Sequence, residues 1–183
     1  MLMAFCVCGS NPASLLRKKI EMSMRALDAV GAAVLAAEEE LQQLRKSDFD
    51  EMKSLTRPPP AVADTALAAK ILVDAEHAKA GADADGMTFG SSATIILVCW
   101  HERSVQKRID HLVYENPMPM KKLARLRALE ESGPPVFPSA SAVYKFIRAV
   151  VSFYYASAAL DAVSGEPPTL AAWKRDWQEK KNT

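Results

Sequence analysis

The residues that could do chemistry fall into three sets. Cys6, Cys8, Cys99 and His101 have donor types that zinc favours. Each pair, however, is split by a single residue, whereas structural zinc sites space their paired ligands by two to four. Three cysteines without framework spacing also fit a reducing compartment better than a disulfide-stapled secreted fold. Asp48, Asp50 and Glu51 are close carboxylates of the kind that share general acid–base work, but basic neighbours on a helical stretch make them a charged face. The third set is cationic: Arg103, Lys107 and Arg108, then Lys121, Lys122, Arg125 and Arg127. With no GxxxxGK[ST] loop, HExxH or GxSxG in the chain, nucleotide and hydrolytic chemistry have no anchor. The reading is binding through cations, with no enzyme activity, no metal and no cofactor.

Composition narrows what those cations can meet. The 183 residues carry 23 Lys+Arg against 22 Asp+Glu, a formal net charge of +1, so attraction to an acidic partner must come from a local patch. The 121–127 stripe has no aromatic residue interleaved and the chain is close to neutral, which argues against nucleic acid. No apolar run approaches the ~20 residues of a membrane span, the longest being Ala93 to Trp100, so no membrane partner is expected. Residues 1–14 are apolar at first but lack a basic leader segment, and read as a frayed terminus.

The elements that would position the cations are helices. Thirty alanines against seven glycines favour them by intrinsic propensity. From Leu15 to Leu44 there is no proline and a single glycine, Gly31. Ile20, Leu27, Val34 and Leu41 fall at heptad position a, and Ser23, Val30, Ala37 and Leu44 at d, the seam of a coiled coil about 45 Å long. Near the other end Leu170, Trp173 and Trp177 share one helical face. Two tryptophans on one stripe need a partner, and the N-terminal rod, met antiparallel, is the expected one.

Between these ends the expected architecture is a small bundle. The rod should continue through Lys46 to Leu55 and stop at Arg57-Pro58-Pro59-Pro60, which also starts the next helix, Ala61 to Val73. Residues 74–92 read as a loop insertion and Ala93 to Trp100 as the start of a buried helix. A helix follows from Met120 to Glu131, then a long apolar one from Ala140 to Val163 at the centre of the bundle.

One stretch is recognisable. Leu44-Arg45-Lys46-Ser47-Asp48-Phe49-Asp50-Glu51-Met52-Lys53-Ser54-Leu55, followed by Arg57-Pro58-Pro59-Pro60-Ala61-Val62, resembles the microtubule-binding stalk tip of dynein heavy chains. Phe137-Pro138, Val151 to Ala156, and Val163 before Pro167-Pro168 are similar to that family's last tip helix and the root of its returning stalk helix. The likeness spans roughly residues 15 to 180 and is most specific over 44–62. The chain departs from the pattern at Ala32, where a proline is usual, at Glu38, where an apolar residue is usual, and at Ser139, Val143, Tyr154 and Asp161.

The resemblance implies an all-α fold in which an antiparallel coiled-coil stalk base is capped by a small multi-helix bundle. Its parts would be an outgoing stalk helix over 15–44, a tip over 45–164 and the start of the returning helix over 165–183. It implies microtubule contact through Arg45, Lys46 and Lys53 on the first tip helix and through Arg103, Lys107 and Arg108 on the third. Lys145 and Arg148 on the last helix stand near the family's contact positions. The stalk seam would comprise Ile20, Leu27, Val30, Val34, Ala37, Leu41, Leu44, Leu170, Trp173 and Trp177, and would pass the nucleotide state of a distant motor ring to the tip by sliding. The partners implied are α/β-tubulin and the rest of a dynein motor, in the cytoplasm and cytoskeleton or in a ciliary axoneme. A helical coiled-coil adaptor is the alternative on the residues alone, and a basic nucleic-acid-binding domain a weaker one.

Overall fold

The computed structural model describes residues 12–45, 47–48, 55, 57–73, 103–129, 133–165 and 168–182. These are helical and contain no strand, so the fold is all-α. Six α-helices are present among the described residues. They are α1 (Pro12–Gln43), α2 (Pro60–Val73), α3 (Arg103–Ile109), α4 (Met120–Leu129), α5 (Pro138–Ser164) and α6 (Leu170–Lys181). A π-helical turn, Asp110–Glu115, continues α3 directly.

Helix boundaries follow local chemistry. Pro12, Pro60 and Pro138 each occupy a first helical position, where a missing N–H leaves no bond unmade. The π-turn ends at Asn116, which is extended (φ −112°, ψ 144°) because Pro117 follows it. Gly165 closes α5 in the left-handed region at φ 82°, its N–H donating to the Asp161 carbonyl at 2.8 Å. Thr169 then caps α6, its hydroxyl accepting from the Ala172 N–H at 3.2 Å.

The long α1 does not run on through Leu55. It stops at Gln43, and a new turn opens at Arg45, whose N–H donates to the Asp48 carboxylate at 2.7 Å, one half of a capping box. Asp48 thus serves the backbone of Arg45, which the heptad pattern could not register. Leu44 lies beyond the helix and is only partly buried.

Helix α5 is the centre of the molecule and packs against α1, α2 and α4. By length and composition it could cross a membrane, where the run of apolar residues suggested nothing long enough. The two facts agree physically, because Lys145, Arg148 and Asp161 break the apolar run while the Val, Ala, Ile and Phe residues around them outweigh their polarity. Its apolar residues, among them Phe146, Val150, Phe153 and Leu160, are buried in the protein core.

The principal partner of α1 is α5, with α6 making the smaller contact, whereas the sequence pattern assigned that role to the closing helix alone. Leu27, Val34, Ala37 and Leu41 are buried there; Ile20 and Val30 are only partly so. At one turn buried Gly31, covered by the Trp173 ring, takes the place of half-buried Val30, and the next d position, Ala37, is buried again. Before Leu27 the helix is largely exposed apart from Ile20 and Ser23, and Leu15, Leu16, Met22 and Met24 are exposed at 46–64%.

Candidate binding surface

Gly31 makes room for Trp173. A Cβ placed on Gly31 would stand 2.3 Å from Cζ2 of the Trp173 ring, so the indole lies flat on the α1 backbone. The Trp173 Nε1–H donates to the Asp28 carboxylate at 2.9 Å. Its ring stacks on Trp177 at 5.3 Å and meets Phe153 edge-on at 5.8 Å. Trp173 and Leu170 are buried and Trp177 half-buried, so this stripe has the helix partner that its exposure would otherwise demand.

Charged pairs join the same elements. Lys145 meets Glu40 at 2.6 Å, Lys174 meets Glu38 at 2.9 Å and Lys180 approaches Asp28 at 3.8 Å. Glu38, which departs from the dynein pattern, is therefore an ion-pair partner of α6. The Lys174 ammonium also stands 5.3 Å from the centre of the Tyr114 ring.

The candidate contact cations are distributed as follows. Arg45 is exposed just beyond α1. Arg103, Lys107 and Arg108 are exposed on α3, whose other side carries buried Val105 and Ile109. Lys145 and Arg148 are exposed one turn apart on α5, with Lys145 sharing its charge with Glu40. The end of α1, α3 and the first turns of α5 converge around a cleft lined in part by Leu41, Gln42, Gln106, Ile109 and Phe146. These cations thus belong to three elements that meet at one end of the α1–α5 pair. Lys46 and Lys53 lie outside the described residues, as do the 74–92 insertion, Ala93 to Trp100, the three cysteines and His101. Among the described residues no group of three His, Cys, Asp or Glu side chains is placed to hold a metal ion.

The other basic stripe is divided by the fold. Lys122 is buried at 4% exposure, its ammonium donating to the Leu72 carbonyl at the end of α2 at 2.9 Å. That position suits a cation, since unpaired carbonyls and the negative end of the helix dipole meet there. Arg127 lies over the Tyr155 ring at 5.2 Å. Lys121 remains exposed, and Arg125 is partly covered.

Tyr154 fastens the π-turn that contains Tyr114, a role the sequence did not signal for either residue. Tyr154 on α5 donates its hydroxyl to the carbonyls of Val113 and Asn116, fastening the end of the turn to the central helix. Burial pushes its pKa up to about 12, opposed in part by the Leu170 backbone. Tyr114 is buried too, and desolvation first, then the charge and hydrogen bonding of Glu38, then the charge of Asp110, raise its hydroxyl well above the ordinary tyrosine range.

Comparisons with protein-family models, with curated proteins and with solved structures find no match to this chain.

Proposed function

We propose that this chain is the microtubule-binding stalk tip of a dynein heavy chain, attaching a minus-end-directed motor to tubulin through basic residues on its helices. The reading rests on the sequence pattern over 44–62 and 137–168. The observation that carries it further is the meeting of α1, α3 and α5 at one end, with Arg45 exposed just beyond α1 and Arg103, Lys107, Arg108, Lys145 and Arg148 exposed on α3 and α5. Several cations on a rigid helical frame suit an acidic, repeating filament, and attachment of that kind weakens with salt.

The interhelix pairs fit a stem in which both later helices close on the second half of α1: Glu40 pairs with Lys145 on α5, and Glu38 and Asp28 pair with Lys174 and Lys180 on α6. On this reading α1 is the outgoing stalk helix, α6 begins the returning one, and the turns between them form the cap. The chain binds without catalysing; the ATPase of such a motor resides in its ring. Its place is the cytoplasmic cytoskeleton or a ciliary axoneme. Co-sedimentation with polymerised tubulin tests this: Arg45→Glu/Lys46→Glu should abolish pelleting of a folded chain, and undiminished pelleting would refute the assignment.

The exposed Leu15, Leu16, Met22 and Met24 favour a second reading, a helical adaptor that uses the exposed face of the first turns of α1 to bind another chain. That reading expects a parallel dimer in analytical ultracentrifugation, where the stalk tip is a monomer folded back on itself.

A further inference from the structure

Helix α1 carries a second apolar row, on a side that α5 and α6 leave open. Leu15, Met22, Ala29 and Ala36 fall at heptad position c, and Lys19, Ala26 and Ala33 at g, so the row repeats at alternating steps of four and three. Each member stands one residue before a position of the a/d seam, which turns the row about 100° round the helix from it. From Leu27 onwards the a/d side is closed by α5 and α6, whereas all seven residues of the outer row are exposed. Six of the seven are apolar over a length of about 30 Å, where a solvated helix face carries charge.

Charge decides what covers the row. The first half of α1 holds Arg17, Lys18, Lys19 and Arg25 against Glu21; the second half holds Asp28, Glu38, Glu39 and Glu40 and no base. Most of these are already paired within the chain: Arg25 with Glu21, Asp28 with Lys180, Glu38 with Lys174 and Glu40 with Lys145. Lys18 and Glu39, exposed along one margin of the row, have no ion-pair partner among the described residues. An anionic membrane suits the basic half and repels the acidic one. A parallel second copy sets like charge beside like. An antiparallel one sets the basic half on the acidic half.

We propose that the outer row of α1 pairs with the same row of a second copy of this chain, antiparallel and two-fold symmetric. Ala26 then opposes Ala29 of the second copy, Met22 opposes Ala33 and Lys19 opposes Ala36, each contact occurring twice. The same register brings Lys18 to Glu39 at both ends. Alanines in the middle let the helix axes approach to about 8 Å, and Lys19 lays its stem along Ala36 with the ammonium in water. A contact one helix wide and about 30 Å long belongs to the small, transient class of interfaces. The expected dissociation constant is about 10–100 μM, which leaves the chain monomeric at the low micromolar concentrations of a tubulin assay.

Sedimentation equilibrium of the full 183-residue chain, from about 5 to about 500 μM, should show a reversible monomer–dimer equilibrium with that constant. Ala29→Glu puts a carboxylate into the seam twice and should weaken it at least about tenfold. Lys18→Glu and Glu39→Lys should each weaken it about three- to tenfold, and the two together should restore it to within about twofold of the unmodified chain. In a parallel dimer residues 18 and 39 stand about 30 Å apart, and the double exchange repairs nothing. All three positions are exposed, and circular dichroism checks that each variant keeps its helices. A chain still monomeric at about 500 μM overturns the proposal, as does unchanged dimerisation of Ala29→Glu or a double variant no tighter than either single one. Pelleting of a monomeric chain with phosphatidylserine vesicles, lost in Ala29→Glu, would give the row to a membrane and overturn it too. None of the three exchanged residues is a candidate microtubule contact, so this pairing and the stalk-tip reading fail separately.

Discussion

Replacing Gly31 with alanine isolates the contact that ties the two ends of the chain. In an exposed helix interior this substitution stabilises by about 1 kcal/mol, because alanine is the better helix former. Here the new Cβ would meet Cζ2, Cε2 and Cη2 of Trp173 at 2.3, 2.5 and 2.5 Å. Ordinary carbon contacts lie near 3.5–4.0 Å, so the ring must withdraw by about 1.2 Å. It is the far end of a side chain, but it is not free to swing. The Asp28 hydrogen bond at 2.9 Å, the Trp177 stack and the Phe153 edge all fix it. Overpacking costs about 1–3 kcal/mol, and a strained hydrogen bond to a carboxylate about 1.5 kcal/mol more. Set against the helix gain, the net loss is about 2 kcal/mol, a fall in melting temperature of roughly 4–8 °C for a chain of this size. Urea unfolding followed by circular dichroism and tryptophan fluorescence measures it. In a Trp173→Phe background the ring is smaller, and Gly31→Ala should then cost at least about 1 kcal/mol less, the coupling expected of touching residues. Stabilisation by Gly31→Ala in the wild-type chain, or strict additivity of the pair, would refute the close approach.

Other consequences follow from named contacts. Tyr154→Phe removes the hydroxyl that holds Val113 and Asn116, and should cost about 1–2 kcal/mol in urea unfolding. Because the Tyr154 pKa is raised above its unfolded value, the contribution is complete below pH 10 and fades as pH climbs towards 12; the phenylalanine variant should lose less stability across that window. Lys122→Met keeps the apolar stem but leaves the Leu72 carbonyl without its ammonium, a loss of about 1–3 kcal/mol by the same measurement. Lys174→Ala should cost no more than about 1 kcal/mol at low salt and less at 1 M, since its pair with Glu38 remains partly solvated.

How much of this was legible in the sequence depended on the range of the interaction. Helices α1, α2, α4, α5 and α6 were readable to within about three residues, because the apolar spacing and the prolines at 60 and 138 act locally. The break after Gln43 was not, since it turns on one carboxylate, Asp48, reaching back to the Arg45 N–H. The tryptophan stripe announced that it needed a partner, and Gly31 stood out as the one glycine of the rod. Their contact is a matter of register between segments 142 residues apart in sequence (173 minus 31), which periodicity does not encode. The partner of α1 was misjudged for a related reason. A heptad states which face is apolar, and several apolar helices compete to cover it; α5, apolar on more sides than α6, covers most of it. Lys122 read as one of four cations in a stripe, because its buried acceptor lies at Leu72 on another helix. The hydroxyl roles of Tyr114 and Tyr154 were not legible, since a tyrosine in a helix carries the same signal whatever its hydroxyl meets.

The most direct measurement is co-sedimentation of the unmodified chain with polymerised tubulin, at low and at physiological salt, with duplex DNA as competitor. The expected result is saturable pelleting that weakens as salt rises and is indifferent to DNA. A folded chain that stays in the supernatant at low salt, or that DNA strips from the polymer, would contradict a cationic helical tip made for microtubules.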